Sequence, residues 1–345
     1  MFHETNFRST PIRDLQLTVA GTRLAPILDR FRSELLHVGI QQVTPSFYLS
    51  TDWGVVFGSI SIGIPFYLAH PELQSLHAER VGHVEGFSAG DILRYLRHEM
   101  GHVMNYAYEL YEDEAWVKLF GAITQPYLEE YHPEPFSTNY VRHLPGWYAQ
   151  KHPDEDWAET FGVWMTPGQS WRSDYAHWPA ARAKLQYCET KMAELRSVAP
   201  PVTATELDED VENLPFSVDE YYTRPAADES EFPPGIDGAL RSVFEDWGDP
   251  EESDAAVPRR SAAQLLLQLE RTLMADVFRW TGHFPEHTRA LVRSLAKRAD
   301  EMQQVYPEDR EVAAIAGIAA FVTSLAMTHV FRGSYAPETS TRPKA

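Results

Sequence analysis

Apolar residues recur at spacings of three and four in two stretches of the N-terminal half of the chain. Residues 23–37, "RLAPILDRFRSELLH", show this helical period, and Gly39 follows as a stop signal. Residues 92–110 repeat the period, and Ser88 or Asp91 is suited to cap the start of that helix. The pattern therefore predicts one amphipathic helix in each stretch.

The segment between these helices has a different pattern. Residues 42–50 and 53–69 are rich in Val, Ile, Phe and Tyr and are interrupted by Gly and Pro. Because proline cannot donate to a sheet ladder, Pro45 and Pro65 are expected at strand ends or edges. We expect a small sheet here, followed by a short helix near residues 71–79.

Three further stretches near the C-terminus predict helices joined by short turns, residues 261–282, 285–307 and 310–331. The third contains 20 uncharged residues, 312–331, which is long enough to cross a membrane. It is rich in alanine and includes Thr, Ser and His side chains. We therefore favour a buried helix of a small bundle over a membrane span.

Composition describes an ordinary folded protein. The chain has 345 residues, 43% of them hydrophobic and 12% aromatic, which is enough for one sizeable domain and a smaller one. A single cysteine, Cys188, excludes a disulfide framework or a cysteine-ligated zinc ribbon within the chain. The first residues lack an apolar region behind a basic start, so a cytoplasmic location is expected.

The net charge of −20 makes nucleic acid and anionic lipid surfaces poor partners. Residues 205–254 alone hold 17 acidic residues and two arginines, a net charge of −15. The acidic, proline-rich residues 201–258 are predicted to be a linker. This segment could cover a cationic cleft or bind a basic partner.

The chain carries an HExxH motif, from His98 and Glu99 to His102. Two histidines one helical turn apart supply two zinc ligands from one face, and the glutamate beside them can act as a general base. Gly101 costs about 1 kcal/mol of helix propensity relative to alanine, which makes sense if another strand or side chain passes close to the helix. The alternative is a pair of histidines without a metal.

A third ligand must come from elsewhere, because Asn105 and Tyr108 occupy the positions of the extended HExxHxxGxxH form. Residues 147–165, "WYAQKHPDEDWAETFGVWM", offer a second helix with carboxylates. We weigh Glu159 against Glu155 for the third ligand.

Pro153 and the acids after it form a strong helix start, so the helix dipole alone explains Glu155 and Asp156. Glu159 lies beyond the first turn among Trp and Phe, where an unpaired carboxylate would be costly to bury. We therefore prefer Glu159 as the third ligand. Glu155 or Asp156 would then orient an imidazole by a hydrogen bond.

The two blocks together resemble bacterial zinc-binding metallopeptidases of the gluzincin type, whose pattern is close to RHExGH followed by HPxEDWAETW. The likeness covers roughly residues 80–170. The matching residues are Arg97, His98, Glu99, Gly101, His102, His152, Pro153, Glu155, Asp156, Trp157, Ala158, Glu159 and Thr160. This chain lacks the cysteine-rich ribbon of many such proteins, and it reads "FGVWMTP" where they continue with a His-Tyr pair. The resemblance implies a zinc site and peptidase activity.

Other polar residues are weaker candidates. Tyr148 and His152 precede the second helix, where a donor could stabilise an oxyanion. An ordinary loop tyrosine and a helix-capping histidine explain them equally well. Tyr175 and His177 are expected to be structural, Cys188 an inert thiol, and the acids of residues 109–114 a solvated helix end.

These observations predict an α+β protein with a zincin-like metallopeptidase domain at 1–200, a linker at 201–258 and a helical bundle at 259–335. The function expected is hydrolysis of a peptide or protein substrate, with Zn²⁺ held by His98, His102 and Glu159 and with Glu99 as general base. The strand region 55–64 could offer a sheet edge to an extended peptide. The alternatives are a non-catalytic zinc-containing binding or regulatory protein and a zinc hydrolase of non-peptide amides.

Overall fold

The computed structural model describes residues 7–128, 131–223, 235–247, 258–333 and 335, and the chain forms two units. The first unit comprises Met1–Arg80 and Val84–Arg224, and the second comprises Val81–His83 and Pro225–Ala345. The described residues are mostly helical with two small sheets, so the predicted α+β class is confirmed.

The first unit surrounds a small sheet with helices. Its helices are α1 (Leu24–Val38), α2 (Pro71–Val81), α3 (Ala89–Ala107), α4 (Glu114–Phe120), α5 (Pro153–Met165), α6 (Trp171–Asp174), α7 (Pro179–Leu195) and α8 (Val218–Tyr222). Its strands are β1 (Ser46–Ser50), β2 (Gly54–Val55) and β3 (Ser61–Pro65). Strand β3 is central, parallel to β1 and antiparallel to β2.

The predicted helices and strands of this region are present. Helix α1 ends at Gly39, whose φ of 88° is the left-handed conformation that glycine adopts without a steric penalty. Helix α3 begins at Ser88, which forms a capping box with Asp91. Pro65 ends β3, as expected for a residue without an N–H donor. These local signals fix the boundaries around the sheet.

Helices α3 and α5 pack closely, and Gly101 allows it. A Cβ atom at Gly101 would lie 2.6 Å from Ala158 Cα on α5. Trp157 Nε1 donates a hydrogen bond to the Gly101 carbonyl oxygen over 2.8 Å. The expected close neighbour of this glycine is therefore the backbone of α5. The contact fixes how residues of the two helices face each other.

Replacing Gly101 with Ala should destabilise the fold, because the added methyl group meets backbone that cannot rotate away. Overpacking of this kind costs about 1–3 kcal/mol, which exceeds the gain of about 1 kcal/mol in helix propensity. Urea unfolding would measure the difference. Gly90→Ala is the matched control on α3, since its nearest atom is 3.7 Å away. If both substitutions stabilised the protein, the close approach would be wrong.

The start of the predicted linker belongs to the first unit. The Ile60 N–H donates to the Ala204 carbonyl over 2.8 Å, and the Asp208 N–H donates to Tyr48 Oη over 3.1 Å. The side chains of Val211, Leu214 and Val218 are buried in the main core. The prediction of a linker from residue 201 is therefore wrong up to residue 222. Residues 224–234 and 248–257 of the predicted linker lie outside the described part of the chain.

The second unit contains the three predicted helices, α10 (Ala262–Thr281), α11 (Pro285–Glu301) and α12 (Glu311–Arg332), with the short α9 (Ile236–Arg241). It also contains an antiparallel sheet of β4 (Glu245–Asp246), β5 (Arg259–Ser261) and β6 (Gln304–Pro307). The helix predicted over 285–307 ends early because Gln303, with φ 51°, turns the chain into β6. The bundle therefore includes a sheet that the sequence analysis did not predict.

One helix of the described residues, Glu308–Arg332, is long and apolar enough to cross a membrane. Its mean hydropathy is 1.8 over the most apolar window, of which 33% is buried. One side of α12, including Ala314, Ile318 and Val322, packs into the core of the second unit. Core helices of soluble proteins pass the same test, so this helix is weak evidence for a span.

Candidate metal centre

Three donor atoms from α3 and α5 meet at one point. His98 Nε2 and His102 Nε2 lie 3.3 Å apart, and Glu155 Oε2 lies 2.9 Å from the first and 3.3 Å from the second. All three side chains are buried. Ligand atoms held 2.0–2.1 Å from a tetrahedral metal ion are about 3.3 Å apart. The spacing therefore suits a metal ion.

Hydrogen bonds on the far side of each ring define the imidazole tautomers. His98 Nδ1 lies 3.1 Å from Glu159 Oε1, and His102 Nδ1 lies 3.0 Å from Asp154 Oδ2. Since carboxylates accept, each Nδ1 carries a proton and each Nε2 of a neutral ring presents a lone pair. Two lone pairs and the Glu155 oxygen then face each other. They repel unless a cation lies between them.

A proton is the competitor of a metal ion at this point. Burial lowers the pKa of His98, but the hydrogen bonds to Glu155 and Glu159 outweigh burial and raise it to about 9. The pKa of His102 is also raised, against the effect of burial, by Asp154 and Glu155. The metal-free centre therefore holds protons at neutral pH. Metal binding here releases them.

The preference for Glu159 as third ligand is not what the geometry shows. The group of potential ligands is His98, His102 and Glu155. Glu159 contacts Nδ1 of His98, on the opposite edge of that ring, and it accepts the N–H groups of His143 and Leu144 at 2.8 and 3.0 Å. These donors stabilise the buried Glu159 carboxylate without a metal ion. Its burial among aromatic side chains is therefore no reason to expect it as a ligand. Glu159 orients His98 instead.

Asp154 orients the second imidazole. Besides His102 it accepts hydrogen bonds from Asn105 Nδ2 at 2.6 Å and Tyr106 Oη at 2.5 Å. The pKa of Asp154 is lowered because, although burial raises it, His102 and Tyr106 together outweigh that effect. The sequence predicted Glu155 or Asp156 in this role, and that prediction is wrong, because Asp154 occupies it. Three acids in succession could have indicated that one of them supports an imidazole, but their interaction with the helix dipole was a sufficient explanation.

Asp156 does not orient an imidazole. Its Oδ2 atom accepts from Lys184 Nζ of α7 over 2.6 Å, and both side chains are buried. Burial raises the pKa of Asp156 to about 7 although the Lys184 charge opposes it. This pair joins α5 to α7.

Glu99 is not part of the hydrogen-bonded pairs that the acids of α5 form. Its side chain is 5% exposed, and within the described residues its carboxylate has no hydrogen-bond partner. Burial raises its pKa, and the charges of His98 and His102 oppose that shift. A buried carboxylate beside the ligand atoms with a free proton-accepting oxygen is the arrangement a general base needs.

Tyrosines line one side of the centre. Tyr127 Oη donates to Glu155 Oε1 over 2.6 Å, which leaves Glu155 Oε2 to face the imidazoles. Since the Tyr127 proton is engaged, Tyr148 Oη donates to Tyr127 Oη over 3.3 Å. The Tyr148 ring centroid lies 5.7 Å from that of His98. Burial keeps the pKa of Tyr148 well above its ordinary value, so the hydroxyl stays protonated. Tyr148 remains a candidate hydrogen-bond donor. Nothing in the sequence indicated Tyr127 as a residue of the centre, because its loop has no periodic pattern.

The turn that presents Tyr148 is strained. Gly146 and Trp147 both have left-handed backbone conformations, with φ of 82° and 62°. For Trp147 this conformation costs on the order of 1–3 kcal/mol. Its indole ring packs under the Arg142 guanidinium, whose carbon lies 3.7 Å from the ring centroid. Strain of this kind is common where a side chain is held for a function.

His152 is a helix cap. Its Nδ1 accepts the Asp154 N–H at 3.2 Å, so Nε2 carries the proton and donates to the Gln125 carbonyl at 3.0 Å. Both nitrogens are therefore engaged away from the ligand atoms. The geometry does not support His152 as a catalytic residue.

The weaker candidates have structural positions. Tyr175 lies in a small separate core and accepts the Arg142 N–H, and His177 is exposed. Cys188 is fully buried, and burial raises the pKa of its thiol, which makes it unreactive. Asp113 caps α4.

No protein-family model matches the chain, and no curated protein or solved structure is significantly similar to it. The function of the centre must therefore be inferred from its donor atoms and their surroundings. The resemblance to gluzincin metallopeptidases stays a prediction.

Proposed function

We propose that the first unit is a zinc-dependent metallopeptidase with a zincin-like core. The convergence of His98 Nε2, His102 Nε2 and Glu155 Oε2 within 3.3 Å, beside the buried carboxylate of Glu99, carries this proposal. Two imidazoles and one carboxylate are a donor set typical of catalytic zinc, with a fourth position open. When bound, zinc would polarise a carbonyl group and lower the pKa of a water molecule.

Four side chains have catalytic or orienting roles in this proposal. Glu99 accepts a proton from the attacking water and passes it to the leaving amine, a use that suits its raised pKa. Tyr148 supplies a protonated hydroxyl for the developing oxyanion after turning from Tyr127. Glu159 and Asp154 keep the imidazoles in the ligand tautomer.

The predicted binding region for an extended peptide, residues 55–64, is only partly accessible. Strand β3 is central in the sheet and fully buried, so its backbone groups are not available. The edge strands are β1 and β2, and of these β2, Gly54–Val55, lies at the start of the predicted region and is half-buried. A peptide would pair with β2 by strand addition.

Replacing His98 with Ala should remove about one zinc ion per chain, because a three-ligand catalytic site cannot spare an imidazole. The measurement is elemental analysis of protein purified without chelator, with His177→Ala as an exposed control. Full zinc content in the His98→Ala protein would contradict the centre.

The activity is tested with a peptide library and detection of products by mass spectrometry. Wild-type protein should cleave peptides, lose cleavage in phenanthroline and regain it with added zinc. A protein that holds zinc but cleaves no peptide would favour the non-catalytic or the non-peptide amide alternative.

A further inference from the structure

A second group of potential metal ligands lies in the second unit. The ring nitrogens of His283, His287 and His329 fall within 4.8 Å of one another. The residues come from three elements: His283 follows the C-cap Gly282 of α10, His287 is in the first turn of α11, and His329 is in the last turn of α12. Their ring centroids are 5.1–5.8 Å apart. The fold therefore gathers three imidazoles that are distant in sequence.

The buried member of the group has a defined tautomer. Thr288 Oγ1 donates its single proton to the Phe284 carbonyl at 3.2 Å, so it accepts from His283 Nδ1 at 2.7 Å. His283 Nε2 then carries the lone pair, which accepts from Tyr335 Oη at 2.8 Å. With a proton on Nδ1 and a lone pair on Nε2, the His283 ring is neutral. A neutral imidazole held by a hydrogen bond at Nδ1 is the form that binds metals through Nε2.

The other two imidazoles can complete a site. The ring nitrogens of the half-buried His287 and His329 lie within 4.8 Å of each other and of His283, and a tetrahedral ion would draw the three to a spacing of about 3.3 Å. His329 lies at the C-terminal end of the 22-residue α12, where the helix dipole favours a cation. Tyr335 Oη, which donates to His283 Nε2 over 2.8 Å, must turn away when this nitrogen binds a metal ion.

We propose that His283, His287 and His329 form a second transition-metal site, separate from the centre of the first unit, which binds Zn²⁺ or a similar divalent ion such as Co²⁺. Three nitrogen donors favour these ions over Mg²⁺ and Ca²⁺, which prefer oxygen ligands. Among the described residues this group contains no carboxylate to act as base, and its buried histidine lies between α10 and α11. Its role is to hold the ends of α10, α11 and α12 together.

The test is zinc and cobalt content after equilibration and desalting of the full chain. In a His98→Ala/His102→Ala background, which lacks the first centre, about one ion per chain should remain. Adding His287→Gln and His329→Gln should remove it, and the d–d absorption of bound Co²⁺ should disappear with it. The exposed pair His37→Gln and His177→Gln is the control and should remove nothing.

Unchanged metal content without His287 and His329, or no metal in the His98→Ala/His102→Ala protein, would overturn the second site. Thr288→Val keeps all three imidazoles but removes the acceptor at His283 Nδ1. It should weaken Co²⁺ binding by about 10–100-fold, as the loss of an orienting partner does. Because this variant retains every proposed ligand, it tests the site even if the double histidine variant does not fold.

Discussion

The Glu99→Gln protein should hold as much zinc as the wild type and cleave peptides about 10²–10⁴-fold more slowly, the loss expected for a general base. Glutamine keeps the size of the buried side chain but cannot accept and return a proton. Glu99 is not among the ligand atoms that converge on His98 and His102, so metal binding should not change. Removing the charge of a buried carboxylate that has no hydrogen-bond partner among the described residues should leave the fold intact or slightly more stable.

The measurements are zinc content, peptide cleavage rate and urea unfolding of the same preparation. Glu112→Gln is a matched control, because this glutamate follows α3 closely in sequence but is exposed. Its cleavage rate should equal that of the wild type. A Glu99→Gln protein as active as the wild type would show that another group takes the proton.

The pattern of the sequence predicted helix α3 and the placement of its two histidines. The spacing of His98 and His102 places both rings on one face, and Gly101 pointed to a close neighbour. Such features depend on one helix at a time, so local periodicity and capping are enough to find them.

The choice between Glu155 and Glu159 could not be made in this way. The two residues are one turn apart on the same face of α5, and each contacts a different edge of the His98 ring. Which carboxylate reaches Nε2 depends on the register between α3 and α5, set where Ala158 packs on Gly101. The spacing of residues within one helix does not determine the register between two helices.

Composition misled the prediction for residues 201–222. Acidic and proline residues dominate the segment, and its apolar residues are too sparse to show a period. Yet Val211, Leu214 and Val218 are buried, and main-chain groups bond to the sheet region at Ser59 and Ile60. Single apolar residues in an irregular segment are buried by contacts with distant parts of the chain. A local sequence pattern does not predict such contacts.

Glu155→Gln should empty the first centre of zinc, whereas Glu159→Gln should retain zinc and bind it about 10–100-fold more weakly. Glu155 Oε2 lies 2.9 and 3.3 Å from the two Nε2 atoms, so glutamine there replaces an anionic ligand with a neutral amide. Glu159 contacts only the far edge of His98, and its change affects the tautomer and orientation of that ring. Zinc titration against a competing chelator measures both affinities.

The three consecutive acids at the start of α5 make this test specific, because Asp154 contacts His102 Nδ1, Glu155 contacts the two Nε2 atoms and Asp156 contacts Lys184 Nζ. Asp154→Asn, which alters the support of His102, should resemble Glu159→Gln. Asp156→Asn, which alters the pair with Lys184, should leave zinc affinity unchanged at temperatures where the protein is folded. If the three charges acted only through the helix dipole, all three neutral variants would lower stability alike and none would change zinc affinity. Loss of zinc from Glu159→Gln with retention in Glu155→Gln would reverse the assignment of ligand and support.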